Sequence, residues 1–252
     1  MGSQQRVATA AVGAALFASV ANAQYGGYGG GGRPGGSGSG SGSGFGNGNF
    51  GNFGNGAGFD IDAATRARTI HGILAALSMV VLFPLGSIFM RVIPGRFAIW
   101  IHAAAQMIAY LVYIAGVGLG IYLVRMVQIP FGGGTLLTNP NTSYHPIIGL
   151  VVLVFLFFQP ILGAIHHAKY KKVGGRQIWS YLHLFNGRIF ITLGIANGGL
   201  GLWMAGESDR LKTAYIAVAV VMWVLWMLSA VWGEWRRWRA TKGAKPAATG
   251  KL

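Results

Sequence analysis

The chain has 252 residues, 53% of them hydrophobic and only 10% charged, with a mean hydropathy of +0.50. So apolar a composition points away from a water-soluble domain and toward an integral membrane protein. The formal net charge of +15 raises nucleic acid as a partner, but the basic residues sit mostly in loops flanking apolar runs, which sets membrane topology rather than a recognition face. There is no cysteine, so disulfides, thiolate-ligated haem, iron–sulfur clusters and thioether-linked haem are excluded.

The first residues read as a secretory signal. Arg6 precedes a short apolar stretch from Val7 to Val20, and Ala21-Asn22-Ala23 is a small-x-small triplet that predicts cleavage before Gln24. An uncleaved anchor is the alternative. The expected signal therefore covers residues 1–23.

Residues 24–58 are rich in Gly, Ser and Asn with scattered Tyr and Phe, as in Gly44-Phe45-Gly46-Asn47-Gly48-Asn49-Phe50. Such a segment buries too little apolar surface to offset its ordering entropy, so a disordered outer or lumenal tail is expected.

Five apolar spans follow within an expected membrane domain of residues 59–235. They run from Thr69 to Ile93, Phe97 to Val124, His145 to His166, Ile178 to Met204 and Thr213 to Trp232. Each is long enough for a hydrocarbon core that takes about 20 helical residues to cross. The fold expected is an all-α membrane bundle of about five helices. Pro84 and Pro160 fall inside spans and predict kinks, which neighbouring helices in a membrane bundle accommodate.

A cleaved signal puts the tail outside, so the loops after the first, third and fifth spans are cytosolic. Those segments hold Arg91 and Arg96; Lys169, Lys171, Lys172 and Arg176; and a basic tail over 236–252 with Arg236, Arg237, Arg239, Lys242, Lys245 and Lys251. The opposite loops carry only Arg125, Arg210 and Lys212. Charge bias and signal agree on one orientation. The sequence leaves plasma membrane and endomembrane both open. Gly116/Gly120 and Gly194/Gly198 are small-xxx-small pairs. They fit close helix packing, with a possible homodimer permitted but not required, or space for a flat macrocycle.

Four of these spans each begin near a histidine: His71, His102, His145 and His183. Because successive membrane helices run antiparallel, His71 and His145 share one leaflet and His102 and His183 the other. An ionisable side chain in a span is costly and marks a candidate site. Two bis-histidine pairs stacked across a bilayer suit two b-type haems, each with both axial positions filled, a centre that carries electrons and leaves no position for oxygen. Polar span residues available to surround them are Gln106, one turn after His102, and Asn186 and Arg188, just after His183; Arg188 reads either as a partner for a haem propionate or as a side chain that snorkels to the lipid headgroups. Asn197 and Gln159 lie deeper and read as interhelical hydrogen-bonding residues. His166 and His167, with Lys169, Lys171, Lys172 and Arg176, form a cationic patch that reads either as a docking site for an anionic reductant or as topology-setting charge that also attracts anionic lipid.

The segments His71-Gly72-Ile73-Leu74, Gln159-Pro160-Ile161-Leu162-Gly163-Ala164-Ile165-His166-His167, His183-Leu184-Phe185-Asn186-Gly187-Arg188 and Asn197-Gly198-Gly199-Leu200-Gly201-Leu202, together with the helix order, resemble the cytochrome b561 domain over roughly residues 60–240. The nearest likeness is to the fungal branch found in DOMON-linked ferric-reductase-like proteins. The resemblance implies two haem b groups held by His71 with His145 and by His102 with His183. It also implies ascorbate as cytosolic donor and monodehydroascorbate or a ferric chelate as outer acceptor. The chain departs from the family where the Gly-rich tail stands in the place of a DOMON domain and where five spans replace the six of animal and plant members. It departs again where Ser143-Tyr144-His145-Pro146-Ile147-Ile148-Gly149 keeps the serine, histidine and final glycine of the family's Ser-Leu-His-Ser-Trp-Leu-Gly signature but not its tryptophan. A clustered-histidine di-iron oxygenase fits poorly, since there are six histidines split between two faces. A structural or sensor protein working through its Gly-rich tail is the non-enzymatic alternative. The five carboxylates, Asp60, Asp62, Glu207, Asp209 and Glu234, lie outside the span centres and argue against proton pumping.

Overall fold

The structure is a computed structural model and describes residues 61–129 and 134–243. The expected signal, the Gly-rich tail and residues 244–252 of the expected basic tail lie outside the described residues.

Among the described residues six α-helices make the bundle. Helix α1 (Ile61–Ala76) runs through a π-helical turn (Leu77–Leu82) into α2 (Phe83–Val92), giving one continuous rod. Helix α3 (Phe97–Met126) returns, and α4 (Tyr144–Val173), α5 (Ile178–Met204) and α6 (Asp209–Gly243) follow. Between α3 and α4 lies a small antiparallel hairpin, β1 (Gln128–Ile129) and β2 (Gly134–Thr135), in which Gln128 pairs with Thr135. The π turn stands directly before Pro84, a residue with no N–H to give to the helix ladder. There the Phe83 N–H bonds to the Ser78 carbonyl five residues back. Pro160 lies inside α4 and frees the Leu156 carbonyl.

These helices form because long runs of Leu, Ile, Val, Phe and Ala meet lipid on one side and each other on the other, so no polar stripe is needed. Their outer faces carry exposed Trp100, Ile108, Leu111, Phe157 and Leu228. They stop where the backbone must reverse. Helix α4 ends at Gly174 in the left-handed conformation, φ 71°, a cap that glycine adopts without a Cβ penalty. Helix α5 begins with a capping box in which Gln177 and Ser180 satisfy each other's backbone N–H.

Helices stand at all five expected spans. Among the described residues, four helices are long and apolar enough by composition to cross a membrane: Asp62–Val92, Phe97–Met126, Tyr144–Val173 and Asp209–Lys242. Helix α5 has 27 residues and so the length, but Asn186, Arg188, Asn197 and its glycines dilute its apolar character. It is held in the bundle by packing along α4, the most extensive helix pair. The ends also extend past the hydropathy limits. The first rod starts with Asp62 in its opening turn, and α6 carries on through residue 243, so that the first part of the expected basic tail is helical.

The core lies at mid-height. Met79, Val80 and Phe83 of the first rod meet Ala109 and Tyr113 of α3, Val152 and Leu156 of α4, Ile191 and Ile195 of α5, and Trp226 of α6. Tyr113 donates to the Gly149 carbonyl at 3.0 Å and Tyr215 to the Ile195 carbonyl at 2.6 Å, so both buried hydroxyls are satisfied across helices. Gly194 admits Met79, whose sulfur would lie 2.6 Å from an added Cβ, and Gly198 admits Tyr215. This pair of glycines serves helix packing.

Candidate functional site

Above and below that core, the helices bring four histidines together in twos. His71 of α1 faces His145 of α4 with ring centres 6.0 Å apart and planes at 86°. At the other end His102 of α3 faces His183 of α5 with centres 6.4 Å apart and planes at 87°. Along α4 and α5 the two levels are 14–18 residues apart, or about 21–27 Å at 1.5 Å per residue.

Three of the rings are oriented by oxygen acceptors on a neighbouring helix. Nδ1 of His71 lies 2.7 Å from the Gly116 carbonyl, and that of His102 lies 2.8 Å from the Gly86 carbonyl. Nδ1 of His145 lies 3.1 Å from the Asn197 carbonyl and 3.2 Å from its side-chain oxygen. A carbonyl only accepts, so Nδ1 carries the hydrogen and Nε2 of the neutral ring keeps its lone pair. Fixing the tautomer this way is what metal-binding histidines require. His183 differs: its Nδ1 is buried and has no hydrogen-bond partner.

Glycines make room for the rings. A Cβ added at Gly201 would lie 2.6 Å from Cε1 of His145, at Gly120 3.0 Å from that of His71, and at Gly163 3.2 Å from that of His183. The macrocycle-space reading of Gly116 and Gly120 is thus replaced by a more local one. Gly116 supplies the acceptor and Gly120 the space for one imidazole.

The ring spacing fits one metal per pair. An imidazole nitrogen binds such a metal at about 2.0 Å, which sets its ring centre about 3.1 Å away, so two imidazoles on opposite sides of one metal have centres about 6.2 Å apart. The observed 6.0 and 6.4 Å bracket that figure. Among the described residues no three side chains of His, Cys, Asp and Glu gather as a metal-holding group. The donors come in pairs.

The other expected residues fall as follows. Gln106 lies against Gly86 and donates to the Phe83 carbonyl at 2.9 Å and to Ser87 Oγ at 3.2 Å, so it steadies the strip of α2 that holds His102. Asn186 donates to the Phe155 carbonyl at 2.8 Å, one residue before the carbonyl that Pro160 frees. Gln159 and Asn197 do bridge helices, and both do so at the histidines. Gln159 Nε2 donates to the His183 carbonyl at 3.1 Å, and Asn197 Nδ2 donates to that of His145 at 3.1 Å. Asn197 therefore belongs with the site, a role its depth in the span does not announce.

His166 stacks on His183, centres 6.1 Å apart and planes 16° from parallel, and its Nδ1 meets Ser180 Oγ at 2.7 Å. His167 is half-buried beyond it, while Lys169, Lys171 and Lys172 are exposed. Arg176 is drawn out of the patch by a two-pronged ion pair with Glu234 of α6, at 2.6 and 2.7 Å. Arg188 also faces α6, with Nη2 3.9 Å from Glu234. Five residues separate it from His183, which turns it about 140° around α5 from the histidine face.

No protein-family model matches the chain, and no solved structure matches it significantly. Among curated proteins it is similar to two Arabidopsis thaliana proteins named cytochrome b561 and DOMON domain-containing proteins. One is 30% identical over 164 residues, 62% of this chain and 37% of that protein. The other is 29% identical over 151 residues, 59% of this chain and 35% of that protein. The chain thus spans little more than a third of the length of these relatives. Both are plant proteins, so they support the family rather than its fungal branch, and a DOMON domain is not shown for this chain. These relatives support the resemblance of the membrane region to the cytochrome b561 family.

Proposed function

We propose that this chain is a di-haem b-type cytochrome that passes electrons across a membrane. The observation that carries the reading is the two imidazole pairs at 6.0 and 6.4 Å, at opposite ends of one apolar core. His71 and His145 would hold one haem b, His102 and His183 the other. Haem b held by these imidazoles would supply a one-electron couple.

The protein's own part is binding, orientation and exclusion of water. Gly116, Gly86 and Asn197 aim Nε2 of their histidines inward by holding Nδ1. Gly120, Gly163 and Gly201 let the rings lie flush against the facing helix. Met79, Val80, Phe83 and Tyr113 keep the space between the two levels dry. The arrangement needs no proton donor at the span centre.

The His102 end is the proposed cytosolic end, on the strength of its basic flanking residues. There the cationic patch of His166, His167, Lys169, Lys171 and Lys172 suits a small anionic reductant of the ascorbate class, with Arg176 contributing only through its ion pair. The proposed outer acceptor, at the His71 end, is a ferric chelate or monodehydroascorbate. The test is a sealed proteoliposome with ferricyanide trapped inside and ascorbate added outside. Reduction of the trapped dye is expected with the intact chain. It should drop to the leak of empty liposomes when His71 or His183 is changed to alanine. Leak-level rates with the intact, haem-loaded chain would refute the reading.

A further inference from the structure

At the His102 end, α6 carries a ladder of aromatic and cationic side chains one turn apart. Arg236 lies over Trp232 with 4.8 Å to the ring centre, Arg239 over Trp235 at 3.9 Å, and Lys242 over Trp238 at 4.2 Å. Beside it a groove of about 380 Å³ opens between α5 and α6, lined by Arg188, Met227, Val231, Glu234, Trp235 and Trp238. Its walls are apolar toward the bundle's middle and aromatic toward its end. Trp at that height is what a membrane–water boundary selects.

The charges in the groove do not balance. Three guanidiniums, from Arg91, Arg176 and Arg188, converge on one carboxylate. Arg91 is brought against α6 by Gly233, where an added Cβ would lie 3.2 Å from Arg91 Nε. Both Glu234 oxygens are taken by Arg176, at 2.6 and 2.7 Å. Arg188 keeps only the 3.9 Å approach, and its Nη2 is buried with no hydrogen-bond partner. A buried charged donor left without an acceptor is costly. Arg188 is turned away from the histidine face, so an anion that satisfied it would enter from the lipid side.

We propose that this groove is a binding site for one anionic phospholipid. Its phosphate accepts from Arg188 Nη2, an acyl chain lies along Met227 and Val231, and Trp235 and Trp238 flank the headgroup. A zwitterionic lipid is disfavoured, because its own cation would enter a field already positive. Basic pockets between membrane helices commonly hold such headgroups.

The test uses the full-length, haem-loaded chain in detergent, exposed to equal amounts of phosphatidylglycerol and phosphatidylcholine and examined by native mass spectrometry. One phosphatidylglycerol per chain should be retained in preference to phosphatidylcholine. Arg188→Gln should weaken that retention about tenfold, the scale of one lost charge-assisted bond. Val231→Trp, which fills the groove and leaves the charges in place, should weaken it as well. Arg125→Gln, exposed at the last turn of α3, should leave it unchanged, and the Soret absorbance per chain should not move in any variant. Equal retention by Arg188→Gln and the unmodified chain would overturn the proposal. So would loss of haem together with lipid in Arg188→Gln, which would give the guanidinium to the cofactor. Displacement of the lipid by inorganic phosphate alone would reduce the site to a free-anion site. Binding seen only after removal of residues 244–252 would make that segment the native occupant.

Discussion

His145 and Asn197 clasp one another across α4 and α5: the imidazole Nδ1 meets both oxygens of Asn197, and the Asn197 amide returns a bond to the His145 carbonyl at 3.1 Å. Two oxygens hold the ring at Nδ1 and the amide holds the His145 backbone, so Nε2 stays free of the Asn197 contacts. Asn197→Ala keeps the backbone acceptor but removes the other two contacts. It is expected to weaken haem retention at the His71 end by 10–100-fold, the usual cost of losing an outer partner of a metal-binding histidine. Titration of apo-protein with haem b would measure it, and the His102 end should be unaffected.

The pairing itself is tested by single alanines. His71→Ala and His145→Ala should each lower the haem content from two per chain to one and spare the same centre. His102→Ala and His183→Ala should do the same for the other. A pyridine haemochrome assay reads the stoichiometry, and a redox titration shows which component is lost.

The glycines give a graded series. Alanine at Gly201, Gly120 and Gly163 would put a methyl 2.6, 3.0 and 3.2 Å from a histidine ring, each facing helix backbone leaving the ring little room to retreat. Haem loss is expected to fall in that order, Gly201→Ala worst. Gly72→Ala is the control, since nothing lies within 4 Å of an added Cβ there. If all four behave alike, the glycines act through helix packing and not through the rings.

Glu234 is the one carboxylate facing three arginines. Its side chain is 41% exposed, so solvent screening trims the ion pair to about 1 kcal/mol. Glu234→Gln should lower the stability of the detergent-solubilised protein by about that amount, and added salt should shrink the loss by screening the remaining repulsion. Thermal unfolding at low and high salt measures both.

Much of this arrangement is legible in the residues, and the reason is geometric. Antiparallel order alone pairs His71 with His145 and His102 with His183, and the limits of the fourth span coincide with those of α5. What escapes is whatever depends on backbone atoms or on rotation. The acceptors for His71 and His102 are carbonyls of Gly116 and Gly86, which have no side-chain signature. Asn197 and Gln159 read as interhelical links, but sequence depth does not reveal that their partners are the histidines. Arg188 follows His183 closely in sequence yet points toward α6, because five residues of helix carry it to the far side. The hairpin pairing Gln128 with Thr135 is too short to leave a periodic pattern.

The central claim is that two histidine pairs hold two haems. The most direct measurement is the haem b content of the purified, folded chain by pyridine haemochrome, with oxidised and ascorbate-reduced spectra beside it. The account predicts two haems b per chain with six-coordinate, low-spin spectra. Folded protein that carries no haem b, or whose haem content survives loss of His71 and His183 together, would contradict it.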